Sequence, residues 1–343
     1  MSELDTFILG VPKAELHVHL EGCIEADMMF ALAERNGLTL RWNSPDGLRA
    51  AYRFGNLRAF LDLYYEGCRV LVQERDFYDV TRAYLRRAHA DGVVRAEVFI
   101  GPQSFTERGV AIATIMNGVL TAMQDASREH RISAGLLISA QRHRSQTEAW
   151  QMLEAVMPWA DRILGFGLGG AEVGNPPSKF AEFFFGCRDR GFRVTAHAGE
   201  EGPASYVREA IDVLNVDRID HGNACLNDPT VVRDLVERAI PLTVCPLSNL
   251  MLNVVPSLEA HPLRAMLDAG LHVTVNSDDP AYFGGYVAEN FIRCHRSLGL
   301  SLEDIATLAR NSLSAAFLPA DDAAQWISLI DAYRDDFPQR LTA

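Results

Sequence analysis

Along this chain, short apolar runs rich in β-branched residues alternate with longer stretches whose apolar positions recur at helical spacing. The short runs are candidate strands and the periodic stretches candidate amphipathic helices. Eight such runs can be drawn, at 14–20, 94–100, 132–139, 162–169, 193–198, 218–221, 241–245 and 272–276. Between them fall segments such as 25–36, with Met28, Met29 and Leu32 on one face and a stop at Gly37, and 228–238, with Val231, Val232, Leu235 and Val236. Repeated βα units call for a parallel sheet, and eight of them predict a (β/α)8 barrel, the α/β fold of TIM type.

The stretch 38–93 is too long for one crossover and carries helical patterns of its own. It predicts a helical insertion after the first strand, placed to cover the barrel mouth. From Ser301 onward the pattern predicts closing helices. No linker, low-complexity tract or internal repeat divides the chain, so residues 1–343 are read as a single domain.

Composition adds exclusions. Apolar residues make up 48% of the chain, ample for a core, and the net charge of −13 argues against a nucleic acid as partner. The first residues carry acid where a secretory signal carries base, and no apolar run approaches the roughly 18 residues of a membrane span. Both points favour a cytoplasmic protein that does not engage a membrane. Six cysteines lack C-x-x-C spacing, which favours buried free thiols over a disulfide framework or a zinc ribbon. Lysine occurs only at Lys13 and Lys179, leaving almost no candidate for a lysine that bridges two metal ions.

The candidate chemistry lies at the strand ends. Residues i and i+2 of a strand share a face, so His17 and His19 in AELHVHLEG can hold one ion together while Leu16, Val18 and Leu20 face an apolar layer. A lone H-x-H is weak evidence. Here, however, His197 and Glu200 end the fifth predicted strand, His221 ends the sixth, and Asp278 with Asp279 follows the eighth. Barrel enzymes keep their reacting groups at these carboxyl ends. Three imidazoles, His17, His19 and His197, with the Asp278 carboxylate suit one zinc ion per chain, which would bring the pKa of a bound water from 15.7 toward about 7. His221 is then left to orient or deprotonate that water, and Glu200, if kept protonated, to give a proton to a ring nitrogen as hydroxide adds to the neighbouring carbon.

The strings PKAELHVHLEG, TAHAGE, RIDHG, VCPLSN and VNSDDP, in this order over nearly the whole chain, resemble the adenosine/adenine deaminases of the amidohydrolase superfamily. The resemblance implies zinc on His17, His19, His197 and Asp278, protonation of purine N1 by Glu200, handling of the water by His221, and a hydrogen bond from Asp279 to N7. LDLYYEGCRVL, PQSFTERG, VGNPPSKF, CPLSNLMLNVV and DDPAYFGGYVAENF look like the adenine branch. That branch has GLDSSE where this chain has GLGGAE (167–172), aspartate in place of Gly101 and histidine in place of Phe105. These departures predict a roomier far side of the pocket, with Gly169 or Gly170 offering a backbone N–H to purine N3 and Glu172 meeting the other ring edge.

The reading is thus a zinc aminohydrolase of purine salvage that turns adenine and water into hypoxanthine and ammonia. Adenosine or an N6-substituted adenine is the alternative substrate. A metal-dependent ester, amide or lactone hydrolase is the alternative class, although it needs neither a ring-protonating Glu200 nor an N7 partner at Asp279. The H-x-E of the cytidine-deaminase type is matched by His19 and Glu21, but its cysteine half is missing. For Asp279 the plain reading is a cap on the turn before Pro280; for His89, His130, His143, His261, His272 and His295 it is a structural or solvated role.

Overall fold

The computed structural model describes residues 2–340, with side chains through Phe337. Eight parallel strands follow one another in chain order: β1 (Lys13–His19), β2 (Val93–Ile100), β3 (Ser133–Gln141), β4 (Ile163–Gly169), β5 (Arg193–Ala198), β6 (Arg218–His221), β7 (Leu242–Val244) and β8 (Val273–Val275). The ring closes between its ends through main-chain bonds, Asp278 N to His17 O at 3.0 Å and His19 N to Asp278 O at 2.8 Å. This is the (β/α)8 barrel read from the sequence, with every predicted strand in place.

Alternation along β1 explains how one strand serves two environments. Ala14, Leu16 and Val18 are fully buried in the apolar layer, and Lys13, Glu15 and His17 are fully buried too. His17 and His19 face groups on strands across the lumen, Thr243 on β7 and His197 on β5, whereas Glu15 bonds Ser277 just past β8 and Tyr84 in the segment between β1 and β2. The lumen is therefore polar, where such barrels are commonly filled by bulky apolar side chains. The six cysteines are buried.

Between β1 and β2 lie the helices Ala26–Arg35, Pro45–Ala50, Leu57–Gly67 and Glu74–Ala90. The last packs in the outer ring beside the helix Ile112–His130. Leu57–Gly67 instead reaches over the carboxyl ends of the strands, where Leu57, Phe60, Leu61, Tyr64 and Tyr65 line the main cavity. The chain ends with the helices Leu302–Ser314 and Ala320–Arg340, the latter touching the first helix, Glu3–Gly10, through Phe7 and Phe337.

Candidate metal and catalytic centre

Four atoms meet at the mouth of the lumen. His197 Nε2 lies 3.1 Å from His17 Nε2 and 3.2 Å from His19 Nε2. Asp278 Oδ1 lies 3.4 Å from each of the two β1 ring nitrogens. A proton can reconcile one nitrogen–nitrogen contact at a time, whereas a cation at the centre satisfies all four atoms together. The spacing agrees: a tetrahedron with bonds of about 2.0–2.1 Å has edges of roughly 3.3–3.4 Å. Proximity also draws in His221, but its Nε2 is 3.8 Å from the other Asp278 oxygen and 3.6 Å from Glu200 Oε2, so it stands beside the quartet.

Three of the four ligand candidates, His17, His197 and Asp278, are aimed by groups behind them, as metal sites require. Thr243 offers Oγ1 at 3.1 Å to His17 Nδ1. Asp220 Oδ2 lies 3.2 Å from His197 Nδ1, within ion-pair range though off the line of a hydrogen bond. Burial alone would raise the Asp220 carboxyl, but the His197 and His17 rings and Arg218 outweigh it and hold it well below the usual carboxylate range. Glu15 accepts from Ser277 N at 3.1 Å and from its hydroxyl, fixing the loop that carries Asp278.

Two of the reacting candidates occupy left-handed backbone, His221 with φ +66° and Asp278 with φ +64°. For residues other than glycine this conformation costs on the order of 1–3 kcal/mol and persists where surrounding bonds impose it. At Asp278 the barrel-closing bonds do so. The consequence is directional: alternation would send His221 outward after inward Asp220, and the left-handed turn brings it back to the mouth.

The electrostatics separate acid from base. Burial, followed by the charges of Asp278 and Glu172, pushes the Glu200 carboxyl well above its ordinary range, so it keeps its proton near neutrality. Burial and the neighbouring His17 ring push His221 down, so it stays neutral and can accept one. Asp279 is likewise raised, by burial and then by Asp278, and its Oδ1 is buried without a partner. Its side chain makes no cap bond to the helix Pro280–Phe283 and faces the cavity, against the plain reading of a cap.

The cavity, about 550 Å³ with its mouth included, joins His19, His197, Glu200, His221, Asp278 and Asp279 to the apolar wall from Leu57–Gly67. Gly101, Gly169 and Gly170 line its far side as expected, and Gly170 has φ +92°. Two expectations are corrected. Phe105 faces away, fully buried against Phe77 with ring centres 5.0 Å apart. Glu172 does not face the cavity either: it is fully buried, and its oxygens accept four backbone N–H groups of residues 199–202.

Sequence reasoning missed Glu15, Asp220, Thr243, Arg142 and Glu21. Asp220 and Thr243 were readable in principle from strand alternation. Glu21, next to His19, accepts from Gly101 N at 2.8 Å, and burial raises it to about 7. Arg142 donates to His197 O at 2.6 Å, holding that strand end. The only lysines lie elsewhere: Lys13 Nζ bonds the Asp91 carbonyl and Lys179 Nζ that of Arg142.

The family model for adenosine deaminase matches residues 12–333. An adenine deaminase of Rhodopseudomonas palustris is 61% identical over 97% of this chain and 97% of its own length. Among solved structures, adenine deaminase from Arthrobacter aurescens superposes with a TM-score of 0.92 at 46% identity, covering 97% of this chain and all of the other. An amidohydrolase of Burkholderia ambifaria, solved with bound Zn, also gives 0.92, at 30% identity over 100% of this chain and 95% of its own.

Proposed function

This chain belongs to the adenosine deaminase family of hydrolytic, metal-dependent enzymes, and from that premise we propose that it deaminates free adenine to hypoxanthine and ammonia on one zinc ion. The observation that carries the proposal is a buried carboxyl, Glu200, whose burial and acidic neighbours favour its protonated form, set beside a converging His17, His19, His197 and Asp278 quartet. Three nitrogens and one carboxylate oxygen suit zinc better than harder cations, and a zinc-bearing relative of the same fold supports the choice. When bound, the ion supplies Lewis acidity that makes a hydroxide nucleophile available near neutral pH.

The residues do the rest. Asp279, kept protonated, donates to purine N7 and orients the ring. Glu200 gives its proton to N1, which draws electrons from C6 as water oxygen bonds there. His221 takes a proton from that water and passes it to the exocyclic amine; the C6–N bond breaks, ammonia leaves, and the remaining hydroxyl proton on the C6 oxygen returns to Glu200, which leaves the carbonyl of hypoxanthine and restores the acid. The Gly170 N–H, or that of Gly169, faces N3, since bare backbone can approach the ring edge. Leu57, Phe60 and Tyr64 keep solvent from the reacting atoms.

Adenine is preferred over a nucleoside because relatives 48–61% identical over nearly the full chain carry the name adenine deaminase. No helix among the described residues is long and apolar enough to cross a membrane. An ultraviolet assay with adenine, adenosine and N6-methyladenine tests the reading, alongside metal analysis. Adenine is expected to give the highest kcat/KM, with about one zinc per chain; a higher value for adenosine, or two metals, would overturn it.

A further inference from the structure

Glu172 follows β4 at the carboxyl end of the barrel, yet its side chain is turned away from the cavity into a loop. Its Oε1 accepts from Gly199 N at 2.7 Å, and its Oε2 accepts from Glu200 N at 3.0 Å, Glu201 N at 2.9 Å and Gly202 N at 2.8 Å. Four successive amides around one carboxylate form an anion nest, and bonds of this charge-assisted kind are about twice as strong as neutral ones. Among the described residues, these amides are the hydrogen-bond partners of the Glu172 side chain.

The loop is shaped for this anion. Gly199 has φ +73°, and a Cβ on Gly202 would stand 2.6 Å from Glu172 Oε1, inside any tolerable contact. The helix Ala204–Asp212 begins just after. By contrast, the Glu200 carboxyl oxygen Oε2 stands 3.6 Å from His221 Nε2, beyond hydrogen-bond reach. The place of the Glu200 carboxyl is therefore set through its main chain.

We propose that Glu172 is the positioning residue for Glu200: its carboxylate pins the four amides of residues 199–202 and so holds the Glu200 side chain facing the reacting ring nitrogen. The inference rests on the reading of Glu200 as the acid. Negative charge at Glu172 also adds to burial and to Asp278 in keeping that acid protonated.

The test is Glu172→Gln, close in shape, which sets an amide donor against backbone donors. In the metal-loaded enzyme, kcat should fall about 10–100-fold while KM moves less than about threefold and metal content holds. Backbone amide exchange at 199–202, measured without substrate, should accelerate while β5 and β6 keep their protection. Unchanged kcat, or unchanged exchange, overturns the proposal. Should the Gln variant not fold, Glu172→Asp serves: charge is kept but reach is shortened, so exchange should again accelerate and kcat fall by roughly threefold or more, and wild-type values would overturn the proposal. A wild-type enzyme inert toward adenine would instead overturn the functional reading, which the exchange measurement does not depend on.

Discussion

The two ends of the barrel lumen both hold buried charged groups and treat them in opposite ways. At the floor, Glu97 accepts from Arg95 Nε at 3.2 Å, Arg95 Nη2 at 3.1 Å, Arg218 Nη1 at 2.8 Å and Phe317 N at 2.6 Å. Arg218 completes its own set with the carbonyls of Ala315 and Leu16 and lies over the Phe317 ring, leaving only Nε without a partner. At the mouth, both nitrogens of His221, Asp279 Oδ1 and Glu21 Oε2 are buried and unpartnered. A buried polar atom without a partner costs on the order of 1–3 kcal/mol. The floor avoids that cost by pairing among its own residues, while the mouth sustains it because its partners are meant to be a cation, a water and a purine.

The comparison breaks first at Glu200. Glu200→Gln removes the proton that the mouth keeps available, so deamination should fall by roughly 10²–10⁴-fold. Metal content should stay at about one ion per chain, and thermal stability should hold, because a protonated carboxyl gives way to an amide of the same charge and similar shape. Steady-state kinetics and a melting curve on the same preparation check both halves; undiminished kcat would strip Glu200 of its role.

At the floor the same isosteric change should do the reverse. Glu97→Gln leaves Arg95 and Arg218 buried without their anion, at a cost of about 3–5 kcal/mol in unfolding free energy. KM for adenine and metal stoichiometry should be unaltered, since the floor touches neither. Denaturant titration measures the loss. If stability were kept while activity collapsed, the division between a structural floor and a reactive mouth would be wrong.

The contrast also explains what the sequence could disclose. Strand alternation made His17 and His19 legible as a pair, and the order of βα units made the barrel legible, because both depend on periods of two and of about 3.6 that the chain carries openly. The same alternation runs through Arg218 and Asp220. The left-handed backbone at His221 and Asp278 carries no period, and it is what lets Asp278 and Asp279, adjacent in the chain, both line the cavity. Glu172 was misjudged for a related reason: in a loop no rule says which way a side chain turns, and the four amides that claim it lie 27–30 residues away. Gly101 and Gly170 do line the cavity, because an absent side chain has no direction to mistake.

Asp220 joins the two regions, and the smallest effect is expected there. It accepts from Thr195 Oγ1 and Thr243 Oγ1, each at 3.0 Å, and faces the His197 ring, so it is bonded like a floor residue while aiming a mouth residue. Asp220→Asn keeps the shape and one acceptor but turns an N–H pair toward groups that donate. The fold should survive, and zinc affinity, measured by competition with a chelator, should weaken about 10–100-fold because His197 loses the anion that fixes its ring. Wild-type affinity in this variant would mean that Arg142, through its bond to the His197 carbonyl, orients the ring from the main chain alone, and the mouth would then depend on the lumen for nothing but space.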